Sequence, residues 1–127
     1  MQRTDSYRDL IAWQKAMALA RLVDAVSASW PPEERFGLTS QVRRAAVSVP
    51  ANIAEGSGRS GSREFRHGLS MAHGSLCELE TQLLIGTDLG LCEPIHGDQV
   101  LAQAAKVGRI IRGLILKLDG KNGGEPR

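Results

Sequence analysis

Apolar residues recur at helical spacing in four segments of the chain. The first segment spans residues 8–28, and its apolar stripe is Leu10, Trp13, Met17, Ala20 and Val23. The second begins near Thr39 or Ser40, either of which suits an N-cap, and its stripe is Leu38, Val42, Ala45, Val49 and Ile53. The third and fourth alternate steps of four and three, like the seam of a heptad repeat. Their stripes are Phe65, Leu69, Ala72, Leu76, Leu79 and Leu83, and Val100, Ala104, Val107, Ile111, Leu114 and Leu118.

Short polar stretches rich in glycine or proline separate these segments. The stretch WPPEERFG (30–37) ends the first helix, because consecutive prolines cannot continue it. GTDLGLCEP (86–94) separates the last two, and Pro94 suits the first position of a helix. No segment shows the sustained alternation of a half-buried strand. The pattern predicts an all-α fold, an antiparallel up-down four-helix bundle over residues 1–119. Residues 120–127 are predicted to form a disordered C-terminal tail.

Pro50 interrupts the second predicted helix and is expected to kink it, since an interior proline removes a hydrogen bond at a cost of about 3 kcal/mol. Polar residues on one face of this helix and of the next are expected to compensate. We call them the polar seam, and they are Gln41, Arg44, Ser48, Asn52, Glu55, Ser75 and Glu78. Antiparallel pairing about residues 57–61 would put Arg44 near Ser75 and Gln41 near Glu78. A buried Arg44–Glu78 pair would indicate a purely structural role for the seam, whereas an exposed cluster of Asn52, Glu55 and Arg59 would indicate binding.

Glycines between the second and third helices spell a motif associated with dinucleotide binding. Residues 56–61, GSGRSG, match G-x-G-x-x-G, but that motif functions where a strand enters a tight turn. Here the preceding residues have helical periodicity, so we interpret the stretch as a helix–helix turn. Gly56 or Gly58 suits the left-handed C-cap position, and Ser60 or Ser62 could cap the next helix. Arg59 and Arg63 would then lie beside free backbone N–H groups, where an anion could bind.

Composition adds little evidence for chemistry. Aromatic residues make up only 4% of the chain, which favours helix over strand. Cys77 and Cys92 form neither a C-x-x-C pair nor a disulfide framework, although a bond between them stays open. The N-terminus lacks the apolar core of a signal peptide, and no apolar run approaches the roughly 20 residues of a membrane span. We therefore expect a cytoplasmic protein without membrane association.

No spacing pattern in the sequence predicts that candidate catalytic groups come together in the fold. His67, His73 and His96 lack the i, i+4 spacing of a helical metal pair, and Glu78 and Glu80 point apart on a helix. Cys77 is expected to be a small buried residue with no activating neighbour. The prediction is that the protein is not an enzyme and has no catalytic residues, no metal site and no cofactor.

Positive charge is unevenly distributed, although the net charge is only +2. Residues 35–73 contain six arginines against two glutamates, and residues 106–117 contain four basic residues and no acids. This asymmetry predicts a basic face, or else reflects charges that merely solvate helix exteriors. Arginine suits phosphate because its guanidinium can bond two oxygens. The candidate nucleic-acid contacts are Arg43, Arg59, Arg63, Arg66, Arg109 and Arg112. Without base-stacking aromatics nearby, binding would be sequence-neutral and sensitive to salt.

Three stretches carry a resemblance to a known family: YRDLIAWQKA (7–16), LTSQVRRAAVSVPANIAEGSGR (38–59) and FRHGLSMAHGSLCELETQL (65–83). They resemble the bacterial four-helix bundle proteins encoded within intervening sequences of 23S ribosomal RNA genes. The resemblance covers roughly residues 7–119. Its most specific parts are the motif S-[VI]-P-x-N-I-A-E-G and the G-S-L-x-E-L-E block that follows it.

The resemblance implies more about assembly than about activity. Members of the family form rings, typically homopentamers, and nothing in the family implies catalysis. A similar protein is an accessory subunit of diversity-generating retroelements, in which a basic pentameric barrel engages nucleic acid and a reverse transcriptase. We therefore hypothesise a homo-oligomeric adaptor with weak affinity for RNA or DNA. The alternative is a scaffold subunit that binds a protein partner and has no affinity for nucleic acid.

Overall fold

The computed structural model describes residues 6–121, which form four α-helices and two short 3-10 turns. The helices are α1 (Ile11–Ser27), α2 (Leu38–Gly58), α3 (Ser62–Asp88) and α4 (Pro94–Lys121). The 3-10 turns are Tyr7–Asp9, before α1, and Pro32–Glu34, between α1 and α2. The described part of the chain contains no strand.

Each helix packs against two others, and together they form a closed four-helix ring in chain order. α2 contacts α1 and α3, and α4 contacts α3 and α1, while no Cα atoms of the diagonal pairs lie within 8 Å of each other among the described residues. Short connections reverse the chain between neighbours, as in an up-down bundle. The predicted four-helix bundle is confirmed. None of the described helices is both long and apolar enough to cross a membrane.

Several helix ends differ from the sequence-based expectation, and the structure shows where each one lies. α2 begins at Leu38 rather than after Thr39 or Ser40, because the Glu34 carboxylate accepts a hydrogen bond from the Leu38 N–H (3.1 Å). α2 continues through Gly58, and the left-handed residue of the following turn is Gly61, with φ of 91°. α4 continues through Lys121, so residues 120 and 121 are helical. The rest of the predicted tail lies outside the described residues.

The buried core confirms the predicted stripes of α2 and α3 almost completely and corrects that of α1. Leu69, Ala72, Leu76, Leu79 and Leu83 of α3 are at most 2% exposed, whereas Phe65 is half-buried. On α1 the buried face shares only Val23 with the predicted stripe and consists of Ala12, Ala16, Leu19, Val23 and Ser27. Leu10, Trp13 and Ala20 are only half-buried against that core. α1 carries apolar residues around most of its circumference, so periodicity alone selected the wrong stripe.

α2 and α3 approach each other closely at Gly56 and Gly68, both of which are buried. A Cβ added to Gly56 would lie 2.8 Å from the Gly68 Cα, and one added to Gly68 would lie 2.7 Å from the Asn52 carbonyl oxygen. Real Cβ atoms essentially never approach so closely. The two backbones therefore touch directly, and only glycine fits at either position.

This contact sets a register one helical turn away from the expected one. Ser75 lies against Ser48, with 2.6 Å between the hydroxyl oxygens, rather than near Arg44. Gln41 lies against Gln82, with 3.5 Å between Gln82 Nε2 and Gln41 Oε1. Glu78 contacts the same Gln82 nitrogen at 3.2 Å, so Gln41 does lie near Glu78, as expected, but the two are bridged by Gln82. We expected α2 and α3 to pair about a turn at residues 57–61. The centre of the observed pairing lies further along the chain, because α2 extends through Gly58 and the turn contains only residues 59–61.

We expect Gly68→Ala to destabilise the bundle by about 1–3 kcal/mol, because the added methyl group must push apart two backbones that are already in contact. The matched control is Gly74→Ala on the same helix, where an added Cβ meets nothing within 4 Å. That change should stabilise by about 0.5–1 kcal/mol, since alanine loses less backbone entropy than glycine in a helix. Urea unfolding followed by circular dichroism measures both. Equal stabilities for the two variants would contradict the close approach.

Candidate nucleic-acid interface and polar seam

The centre of the polar seam is a hydrogen-bonded group around Ser48. The Ser48 oxygen lies 2.9 Å from the Ala45 carbonyl and 2.6 Å from the Ser75 hydroxyl. One hydroxyl has one proton, so Ser48 donates to one of these oxygens, and the carbonyl can only accept. Asn52 Nδ2 donates to the Ser48 carbonyl (2.9 Å). Pro50 lacks the N–H that would bond to the Ala46 carbonyl four residues earlier. The side-chain bonds go to the Ala45 and Ser48 carbonyls instead, so they are not the expected compensation for Pro50.

The other end of the seam is organised by Gln82, which shares a face of α3 with Ser75 and Glu78. Gln82 is only 7% exposed, and its Nε2 lies 3.2 Å from Glu78 Oε2 and 3.5 Å from Gln41 Oε1. The side-chain amide oxygen of Gln82, Oε1, is buried and has no hydrogen-bond partner within the described residues. Gln82 follows Glu78 by four residues, and this spacing predicts that the two side chains are neighbours on the surface of α3. Arg44 is exposed, and no Arg44–Glu78 ion pair occurs in the described structure.

Asn52, Glu55 and Arg59 meet at a cavity of about 300 Å³ in the outer groove between α2 and α3. The backbones of Gly56 and Gly68 contribute to its wall, and Glu64 and His67 also line it. Arg59 donates to Glu55 Oε2 at 2.9 Å. This hydrogen bond, together with the charges of Glu55 and Glu64, raises the pKa of Arg59 above its ordinary value. The cavity therefore presents mixed charge, and Arg59 is already partly neutralised.

A second cluster of basic side chains lies beside the turn between α2 and α3. Arg63, Arg66 and His67 line an open groove of about 560 Å³ together with Glu64 and Ser70. Arg66 donates two hydrogen bonds to the Asp119 carboxylate on α4, and this pairing raises the pKa of Arg66. Arg63 is exposed and makes no ion pair among the described residues. We call Arg59, Arg63, Arg66 and His67 the basic corner.

The remaining candidate contacts lie elsewhere on the bundle. Arg109 and Arg112 are exposed on α4. Arg112 precedes Asp119 by seven residues, or about 10 Å of helix, and Asp119 is held to Arg66. The α4 arginines therefore extend the positive surface away from the basic corner along α4.

Arg43 is separate from the basic corner, and its guanidinium is held by residues of α1. Its Nε donates to Ser27 Oγ (2.8 Å) and lies 3.4 Å from Asp24 Oδ1, while its Nη2 donates to the Asp24 carbonyl (3.2 Å). Ser27 is buried and donates in turn to the Val23 carbonyl (2.8 Å). Arg43 thus connects α2 to the end of α1, and the structure does not bring it together with the other candidate arginines.

Residues 8–113 match the family described as 23S rRNA-intervening sequence protein. The chain belongs to this family. The match begins just before α1 and ends within α4, so it covers the polar seam and every candidate arginine. No curated protein matches the chain significantly.

Nucleophilic and metal-binding groups in this family member are sparse. The described residues contain no group of three or more His, Cys, Asp or Glu side chains that could hold a metal ion. Cys77 is exposed, so the expectation that it is buried was wrong, because it lies on the outward side of the adjacent buried Leu76. Its sulfur lies 3.9 Å from His73 Nδ1, one turn away on α3. Cys92 is buried, and burial raises the pKa of its thiol.

The two cysteines should differ sharply in reactivity. The thiolate is the nucleophilic form of cysteine. At neutral pH we expect Cys77 to react readily with a chromogenic disulfide reagent, because it is exposed. Cys92 should react only after denaturation, because the fold shields it and raises its pKa. The measurement is thiol titration of the native and the urea-unfolded protein, with Cys77→Ser as the control that leaves only Cys92. Two equivalents released rapidly from the native wild type would contradict this assignment.

Proposed function

We propose that this family member is a non-enzymatic, homo-oligomeric adaptor that binds the phosphate backbone of RNA or DNA weakly and without sequence preference. The observation that supports it most directly is the basic corner, where Arg59, Arg63, Arg66 and His67 surround the first turn of α3. The N-cap of this helix is Gly61, which has no side chain to bond with the first turn. The α3 N-terminus therefore offers free N–H groups and a partial positive charge beside the arginines.

The ion pairs of the described structure define which cations are available for phosphate. Arg63, Arg109 and Arg112 are exposed and make no ion pair among the described residues, so they are the first choices. Arg59 and Arg66 are held by Glu55 and Asp119, and a phosphate would have to compete with those carboxylates. Arg43 is the weakest of the six candidates because it is committed to Ser27 and Asp24.

Oligomerisation would compensate for the modest charge of a single chain. A net charge of +2 per protomer is small for a protein that binds nucleic acid. A ring repeats each basic corner around its circumference, so several weak contacts along one strand act together and raise the overall affinity. The family resemblance implies a ring, and exposed apolar side chains such as Phe36 and Val47 offer surface for contacts between protomers.

The alternative function is a protein-binding scaffold with no affinity for nucleic acid. It is favoured by exposed apolar residues at the end of the bundle where α3 passes into α4. Leu84, Ile85, Leu89 and Ile95 are between 45% and 67% exposed. The acidic residues Asp88, Glu93 and Asp98 lie among them in the sequence and are also exposed. Residues 84–98 include no Lys or Arg, so a partner bound here would leave the basic corner free.

We expect labelled single-stranded RNA to bind the wild type at about 50 mM salt and to dissociate substantially at about 200 mM. Arg63→Gln should weaken binding at low salt and reduce the slope of log affinity against log salt by about 0.7 for each phosphate that is no longer neutralised. The control is Lys15→Gln, which removes the same charge from an exposed position on α1, the helix diagonal to α3. Fluorescence anisotropy measures the affinity, and light scattering measures the mass.

Two outcomes would contradict the proposal. Absence of binding at low salt would exclude phosphate recognition and favour the scaffold. Equal reductions of affinity in Arg63→Gln and Lys15→Gln would mean that RNA responds to the total charge of the protein and not to the basic corner.

A further inference from the structure

Phe36 is the most exposed large apolar side chain among the described residues, with 90% of it accessible to solvent. It lies in the connection between α1 and α2, shortly after the Pro32–Glu34 turn and two residues before α2 begins. The Arg35 guanidinium lies 5.5 Å from the centre of its ring. Exposing a whole aromatic ring to water is unfavourable, and a projecting ring of this kind is suited to insertion into a partner.

An apolar groove lies on a different part of the same molecule, between α1 and α2. It has a volume of about 580 Å³ and is lined by Met17, Ala20, Arg21, Asp24, Val47 and Pro50. Val47 is 59% exposed, while Pro50 is buried and forms part of the groove's apolar surface. This volume is within the range of pockets that enclose a small organic ligand, about 300–1,000 Å³. One aromatic side chain and its neighbours can be accommodated.

The charges beside the ring and beside the groove are complementary. Phe36 is flanked by the exposed Glu33 and Arg35, and the groove is edged by the exposed Arg21 and Asp24. Glu33 would face Arg21, and Arg35 would share Asp24 with Arg43, which already lies 3.4 Å from the Asp24 carboxylate. Such pairs at the rim of an interface contribute little affinity, but they select the partner and its orientation. Ring, groove and both sets of charges are all present on one chain, so a second copy of this chain is the occupant that the surface fits.

We propose that Phe36 of one protomer inserts into the Met17/Val47/Pro50 groove of the next, and that this contact builds the homo-oligomer. The inference rests on the oligomeric part of the proposed function and specifies its interface. The contact joins two different patches, and each protomer carries one ring and one groove. Joined head to tail, such heterologous contacts close into a ring of protomers when the rotation between them permits. A two-fold dimer would use the same contact reciprocally, with each Phe36 ring in the partner's groove, so the wild-type mass from light scattering distinguishes the two assemblies.

Two single substitutions should each abolish assembly. Phe36→Ala removes the inserted ring, and Val47→Glu places a carboxylate in the apolar groove, where it would lose its hydration on association. Both residues are exposed, so neither change should disturb the fold, and circular dichroism checks this. Light scattering should show the wild type as an oligomer and both variants at the protomer mass of 13.7 kDa. Leu116→Ala and Met71→Glu, at exposed positions on α4 and α3, are the matched controls and should keep the wild-type mass.

Mixing the two variants provides the decisive test. Phe36→Ala keeps an intact groove, and Val47→Glu keeps an intact ring, so one copy of each can make a single contact. We expect the equimolar mixture to give a 1:1 complex of twice the protomer mass and nothing larger. Two monomeric variants that do not combine would overturn the heterologous contact.

The remaining outcomes separate this inference from the proposed function. If the wild type is an oligomer and both variants retain its mass, the inference is wrong while the oligomeric adaptor stands. If the wild type is a monomer at every concentration, the inference is overturned and the oligomeric part of the proposed function fails with it.

Discussion

The direct backbone contact between Gly56 and Gly68 is the constraint on which the other features of the α2–α3 pair depend. Because neither position tolerates a Cβ, the helices approach more closely here than side chains would permit. That approach sets which residues face each other further along the pair, including Ser48 with Ser75 and Gln41 with Gln82. It also forms part of the wall of the cavity that brings Asn52, Glu55 and Arg59 together. A helix pair held apart by larger residues would have neither this register nor this cavity.

Two different surfaces lie on opposite sides of α2 near Pro50. Towards α3, the hydroxyl and amide groups of Ser48, Ser75 and Asn52 bond with the Ala45 and Ser48 carbonyls and with one another. Towards α1, the proline ring contributes apolar surface to the groove beside Met17 and Val47. The structural and the binding interpretations of the polar seam therefore apply to different residues. Ser48 and Ser75 are structural, whereas Asn52, Glu55 and Arg59 line an open cavity.

Ion pairs with carboxylates decide which of the candidate arginines are available to bind phosphate. In the sequence all six candidate arginines are equivalent sources of positive charge. In the fold, Arg43 meets Asp24, Arg59 meets Glu55 and Arg66 meets Asp119, which leaves Arg63, Arg109 and Arg112 as the candidates outside these three pairs. Only the pair between Arg59 and Glu55 could be anticipated, since i, i+4 neighbours on a helix are adjacent. Asp119 is 53 residues from Arg66, and no local pattern connects them.

The amino-acid sequence by itself determined the number of helices, the breaks between them and the core faces of α2 and α3, because apolar periodicity is a local property of the chain. Tertiary structure decided the buried face of α1, where apolar residues on several sides made the local pattern ambiguous. It also decided the α2–α3 register, since a one-turn shift preserves the apolar pattern of both helices and only the close glycine contact distinguishes the alternatives. The availability of each arginine and the groove at Pro50 were likewise decided by packing, because they depend on which distant residues become neighbours.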